Sequence, residues 1–334
     1  MKKVFPFIAI MLLFFASCDK NRDLDDPDLA TLKNAERVLG LIDAGQDWIS
    51  IKEGAIHITA DAPLVDVAKV QILMKSPFAK GKALILAEEN VTKDAEVTIS
   101  YQVPVNCKRL IAVCVSSKGA HYSRGFDFGT EKLSFGKVTG TKDNSDAETI
   151  DLSESPEQMV YTMCFECRPF TADYDMNDVV LKGRVIDNTH VEMSIVACGD
   201  IDQLILHGIN GKVINSQTEI HALFGQSSTF TYVNTRLTEP RVAPVVEVVE
   251  KAPGETLEHY MNNISLENLT TGNRISTNKA KGMAPNAIII PYDFLYPVEG
   301  TSIINAYSKF KNWVHDANTE KDWFLYSLEG AVFQ

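Results

Sequence analysis

Basic clusters are missing from this chain. Its 32 lysines and arginines are outnumbered by 44 aspartates and glutamates, and no run of positive charge appears. A surface that tracks a nucleic-acid backbone needs such a patch, so duplex and RNA binding are excluded. Past residue 16 no apolar run reaches the ~20 residues that span a bilayer as a helix. No Ser-centred elbow, HExxH helix motif or phosphate-binding glycine loop is present, which leaves the common hydrolytic and nucleotide chemistries without a carrier. Cysteine is sparse, six in 334 residues. Cys164 and Cys167 form the lone CxxC, and a zinc site would need a second pair or a paired histidine motif. A redox CxxC opens a helix, whereas this one ends a strand-like run. Cys107 and Cys114 lie along one apolar strand, about 23 Å apart at roughly 3.3 Å per residue, so they cannot bridge. The five cysteines past Cys18 therefore read as reduced core or strand-end residues. No repeat of 20–50 residues occurs.

The N-terminus carries a targeting signal instead. MKKVFPFIAIMLLFFASC has two lysines, an apolar run from Val4 to Ala16, small residues and then Cys18. That is a signal peptide over residues 1–17, too short to span a membrane. FASC resembles a bacterial lipobox, in which the cysteine becomes the lipidated first residue of the mature chain. Cleavage removes Lys2 and Lys3 and takes the formal net charge from −12 to −14. The membrane partner is then reached through the lipid on Cys18. DKNRDLDDPDLAT follows as an acidic tether. Acidic residues behind the lipidated cysteine resemble the surface-export signal of Bacteroidetes lipoproteins, so an outer-membrane lipoprotein is expected, surface-exposed or periplasmic.

At 45% hydrophobic and 9% aromatic, the rest is globular. LATLKNAERVLGLI has helical spacing. From Trp48 onward short strand-like runs recur every ten or so residues, separated by Gly, Pro, Asn or Asp. EVTISYQV alternates, as a strand with one wet face does. The expected fold is mainly β: two antiparallel β-sandwich-like domains with a few short helices. The expected divisions are 18–44 for lipidated cysteine, tether and helix, 45–139 for the first domain, 140–158 for a polar linker and 159–334 for the second domain. Within the second, TEPRVAPVVEVVEKAPGE is expected to run irregularly over the surface. NAIIIPYDF reads as a buried strand stopped by Pro291. Tyr307, Phe310, Trp313 and Val314 sit at the spacing of one short amphipathic helix with a core face. His57, His207 and His221 have no metal-ligand spacing and read as structural.

The chemistry-bearing stretch is DYDMND at 173–178, between QMVYTMCFE and VVLKGRV. Asp173, Asp175 and Asn177 have the spacing of positions 1, 3 and 5 of calcium loops. Glu166, at the end of the preceding strand, and Asp178 are further candidate ligands. Ca²⁺ accepts six to eight oxygens, including carbonyls and waters, so a few side chains suffice. Position 6 is Asp178 rather than glycine and position 12 is Arg184 rather than glutamate, so this is not an EF-hand. Three uses of the box stay open: a calcium loop that relieves the mutual repulsion of its carboxylates, Asp side chains capping a turn, and paired carboxylates acting on a glycosidic bond.

CFECRPFTADYDMNDVVLKGRV at 164–185, EIHALFG at 219–225 and PNAIIIPYDFLYPVEGTSIINAYSKFKNWVHDANTEKDW at 285–323 resemble, in this order, the LruC domain of bacterial proteins. The resemblance covers roughly residues 159–330. Residues 45–135 are similar to the N-terminal β-domain that accompanies it in Bacteroides lipoproteins. Met176 replaces the second aromatic of the family's box. Cys167 stands where an aspartate is usual, which removes one ligand if that aspartate holds a metal in relatives. The family is of unknown function, so the resemblance implies a fold and an anchor rather than a reaction. The expected function is a non-catalytic binding or adhesion module at the cell surface, with a calcium-stabilised loop and a glycan or protein ligand. The alternatives are an assembly component of a surface fibre and, third, a carbohydrate-active enzyme. An exposed groove of Trp48, Trp313 or Trp323 would favour glycan binding.

Overall fold

The computed structural model describes residues 26–79, 81–136, 156–226, 231–277 and 280–333. Cys18, the signal peptide, most of the tether and most of the polar stretch 140–158 lie outside them. The described chain is mainly β, 35% strand against 13% helix.

The first β unit is a two-sheet sandwich. One sheet holds β1 (Ile51–Thr59), β4 (Glu96–Pro104) and β7 (Lys132–Ser134), with β1 central. The other runs β6 (His121–Asp127), β5 (Arg109–Val115), β2 (Lys69–Leu73), β3 (Leu84–Asn90), β8 (Glu157–Gln158). Pairing is antiparallel except for β1 with β7 and β3 with β8. The alternation in β1 and β4 turns Ile56, Ile58, Ile99, Tyr101 and Val103 onto Val70, Ile72, Leu110, Ala112 and Cys114 of the facing sheet. The end of the polar stretch belongs to this unit: Glu157–Gln158 pair with β3, and only Met159 separates them from the second unit.

The second unit is built on one antiparallel sheet. Its order is β13 (Val245–Glu250), β11 (His190–Ala197), β10 (Val179–Val185), β9 (Val160–Phe165), β16 (Ala287–Pro291). On one face lies a small sheet of β12 (Leu204–His207), β14 (Ser265–Asn268) and β15 (Arg274–Ile275), with α3 (Leu257–Asn262) beside it. The short α2 (Ile220–Leu223) packs against β12. On the other face an aromatic core joins α4 (Ile303–Ala306), α5 (Phe310–His315) and the 3-10 turn Trp323–Leu325. β9, β10 and β16 read as near-continuous apolar runs because both of their faces are covered.

Helix α1 (Pro27–Leu39) is capped by Asp26, whose carboxylate accepts from the N–H groups of Asp28 and Leu29. It precedes the first unit in sequence yet packs in the second. Ala35, Leu39, Ile42 and Trp48 belong to the aromatic core. Asn34 Nδ2 donates to Ala172 O (3.0 Å), Gln46 Nε2 to Trp313 O (2.6 Å) and Trp48 Nε1 to Met283 O (2.7 Å).

Two expectations change. The Pro-rich stretch is not irregular throughout: VVEVVE forms β13, an edge strand that buries Val249 and exposes Val246 and Val248. Prolines 240, 244 and 253 flank it rather than break it. The helix expected over 307–314 is shorter: α5 starts only at Phe310, and α4 ends at Ala306. Tyr307 is extended (φ −130°, ψ 107°) between α4 and α5, pairs with Ser327, and stacks on Phe294 at 4.9 Å. Tertiary aromatic packing outweighs helical spacing there, although all four apolar positions are buried. Cys107, Cys114, Cys164, Cys167 and Cys198 are unpaired and buried.

Candidate metal centre

The box forms the connection from β9 to β10. Tyr174 and Met176 both have left-handed φ (57° and 58°). Such a conformation is uncommon for bulky residues and is kept only where surroundings enforce it. Here both side chains are fully buried in the aromatic core. This alternation curls the chain: Asp173 stays exposed, while Asp175 and Asn177 are buried.

The structure therefore brings together a different set from positions 1, 3 and 5 of the loop. Carboxylate oxygens of Glu166, Asp175 and Asp178 lie within 4.8 Å of one another, an arrangement able to hold a metal ion. Asp173 sits at the exposed rim, close enough for its charge to act on all three. Asn177 is turned to the backbone: Nδ2 donates to Pro297 O at 3.1 Å, and its buried Oδ1 has no protein partner.

The three carboxylates are held by backbone N–H groups. Glu166 accepts from Met176 N (2.5 Å), Asp178 from Cys167 N (2.6 Å), and Asp175 from Gly300 N (2.7 Å) and Asn177 N (3.3 Å). These bonds fix the oxygens but leave net charge uncompensated. Burial, then repulsion from neighbouring carboxylates, raises Asp175 to about 8 and Asp178 to about 7, and holds Glu166 well above the ordinary range. A fifth carboxylate belongs to this field. Glu299, 121 residues beyond Asp178 in the chain, is raised to about 8 by burial and by Asp175; Thr235 Oγ1 donates to it at 3.2 Å. No spacing signal links Glu299 to the box. The link is made by Gly300 N on Asp175 and Ile303 N on Tyr174 O.

A second trio, Cys167, Asp178 and Asp200, shares Asp178. It already has its cation. Arg168 grips Asp200 through Nε (2.8 Å) and Nη2 (3.0 Å) and reaches Asp202 (2.9 Å), while Cys167 Sγ donates to Asp200 (2.8 Å). Cys167 thus supplies a donor to a buried carboxylate, and burial pushes its thiol far up. The histidines are paired locally: His57 with Thr98 and Glu96, His207 with Glu267 (2.6 Å), and His221, buried, between Glu219 (2.6 Å) and Asp200 O (2.9 Å).

Gly199 is fixed by the box. A Cβ there would land on the Asn177 amide oxygen and 2.8 Å from the Asn177 carbonyl oxygen. Gly199→Ala is expected to cost about 1–3 kcal/mol, read from urea unfolding. A neutral result would show that Asn177 can swing away freely.

A family model described as a domain of unknown function, DUF4842, matches residues 110–324, which include the box, Glu299 and most of the aromatic core. The chain belongs to the DUF4842 family. The DUF4842 match begins inside β5, so it spans the second unit and the later strands of the first. The chain is also similar to the crystal structure of a candidate lipoprotein from Bacteroides ovatus, at 10% identity and TM-score 0.48, over 80% of this chain and 99% of that one. No curated protein matches.

Proposed function

We propose that this DUF4842 protein is a lipid-anchored, non-catalytic binding module of LruC type whose second β unit is pinned by a calcium ion. The convergence of Glu166, Asp175 and Asp178 carries the metal part. Three ionised carboxylates at this depth repel one another strongly, and a divalent cation reverses the sign of that energy. All the candidate donors are oxygens, the set that suits Ca²⁺. The lipobox at Cys18 supports the anchor, and a location at the outer membrane, surface-facing or periplasmic, goes with it.

The same geometry supports a non-catalytic reading. Glu166 and Asp175 are each 1% exposed, which leaves them little access to a glycosidic bond that paired carboxylates would have to flank. The module's own ligand is a glycan or a protein. The tryptophans give no platform for a glycan, since Trp48, Trp313 and Trp323 are all core residues. The exposed β13 edge, with Val246 and Val248 outward, favours a second reading as an assembly component that accepts a strand.

Calorimetric titration of the soluble chain from Asp19 tests the metal. Saturable Ca²⁺ binding is expected, absent in Glu166→Gln; no heat at millimolar Ca²⁺ overturns it. Binding displaces protons from groups raised to about 7 and about 8, so affinity should increase from pH 6 to pH 8. The cation-free fold behaves oppositely. Its carboxylates hold protons more tightly than the unfolded chain does, so stability is full below about pH 4 and is lost as pH rises through 7 to 8. Melting curves in chelator from pH 5 to pH 8 read this slope, and a rise in stability over that range would contradict it.

A further inference from the structure

The order of the units along the chain suggests that the first β unit sits next to the membrane and the second points away. The packing of α1 reverses this. Resting on the anchoring at Cys18 proposed above, we infer that the second unit is the membrane-proximal one, facing lipid headgroups with the α1 side, and that the sandwich of β1–β8 is carried outward.

The inference rests on where the described chain begins. Eight residue steps separate Cys18 from Asp26. At no more than ~3.6 Å per residue, they reach about 29 Å. Asp26 is not a free end. It caps α1, and α1 is fastened to the second unit through Ala35 and Leu39, both fully buried, and through Asn34 on Ala172 O. The anchoring continues past the helix: Asp43 N donates to Val314 O (2.9 Å), the Asp43 carboxylate accepts from Ala317 N (3.0 Å), and Gln46 and Trp48 follow. The chain enters the first unit only at β1, after the second unit has fixed it along some twenty residues.

From Asp26 to Asn34 the helix rises about 12 Å at 1.5 Å per residue. The loop that Asn34 holds, which includes Phe170, is therefore within about 40 Å of the lipid by these two spans together. Leu29 in the first turn and Phe170 are exposed apolar side chains on that side. In the sequence, Asp19, Asp23, Asp25, Asp26 and Asp28 outnumber Lys20 and Arg22 between Cys18 and the first turn of α1, a formal charge of −3. They disfavour close contact with an anionic surface, so this face is held near the headgroups without inserting. The outward sandwich is left free for a partner.

Energy transfer to a lipid-borne acceptor tests the orientation in the full lipidated chain, reconstituted in phosphatidylcholine vesicles. The five described cysteines are buried and Cys18 carries the lipid, so single introduced thiols take the dye selectively. Leu29→Cys and Phe170→Cys mark the proximal side; Val65→Cys, 94% exposed in the first unit, marks the distal side. Transfer is expected to be several-fold stronger from 29 and 170 than from 65. Equal transfer, or stronger transfer from 65, in protein that floats with the vesicles overturns the orientation alone. Failure to float overturns the anchor and the orientation with it.

Discussion

Chelation lowers the melting temperature of the soluble chain at pH 8, and Ca²⁺ restores it. The expected size follows from linkage: at a hundredfold excess over the dissociation constant, binding stabilises by about 2.7 kcal/mol. For a unit of 150–250 residues that corresponds to roughly 5–10 °C. The variants separate this effect from a general fragility of the loop. Asp175→Asn keeps an oxygen to accept from Gly300 N while removing one charge from the cluster. It should lose the calcium response and, in chelator at pH 8, melt above the parent, because a repelling carboxylate is gone. A turn-capping aspartate would give the opposite result in chelator, since capping is weakened without any repulsion to relieve. Asp173→Ala removes an exposed rim residue and should retain most of the response. Identical melting with chelator and with Ca²⁺ removes the metal from the account.

How far the sequence foretells this site depends on the range of the interactions that build it. The strands were legible because apolar alternation is local: GAIHITA and EVTISYQV carry their own pattern, and they pair along β1 and β4. The acidic box was legible as composition. Its geometry was not, because the left-handed turns at Tyr174 and Met176 are enforced by an aromatic core assembled from residues up to 333. Spacing pointed to Asp173, Asp175 and Asn177, with Glu166 and Asp178 as further candidates; the fold brings the carboxylates of Glu166, Asp175 and Asp178 together. Glu299 is invisible to any short window, since only the packing of residues 299–303 on the box brings it near. The same limit applies to α1. Its helical period is local, but its preference for the second unit is set by Ala172, 138 residues beyond Asn34, and by the aromatic core around Ala35 and Leu39.

Trp323→Ala is expected to give the largest loss of stability of any single change considered, about 3–5 kcal/mol. Trp323 is fully buried and central to the aromatic core: Phe310 lies at 4.6 Å, Tyr307 at 5.4 Å, Trp313 at 5.5 Å and Phe294 at 5.6 Å. Truncation forfeits the ring's burial and leaves a cavity that these rigid neighbours, held by edge-to-face and stacked contacts, cannot fill. That cost is a large share of the about 5–15 kcal/mol by which a typical domain is stable, so the alanine variant has a real chance of not folding. Trp323→Phe keeps the measurement informative. Trp323 Nε1 is buried without a partner, so phenylalanine removes a badly placed donor while it loses volume, and its cost should be well below that of alanine. The same core holds Tyr174, Met176 and Trp48, so the loss should spread to the cation loop and to α1. Urea unfolding measures the stability change, and titration of folded Trp323→Phe with Ca²⁺ measures the spread. An alanine cost under about 1 kcal/mol, typical of surface sites, would mean that the aromatic core does not hold the second unit together, and that the left-handed turns at Tyr174 and Met176 must be enforced from elsewhere.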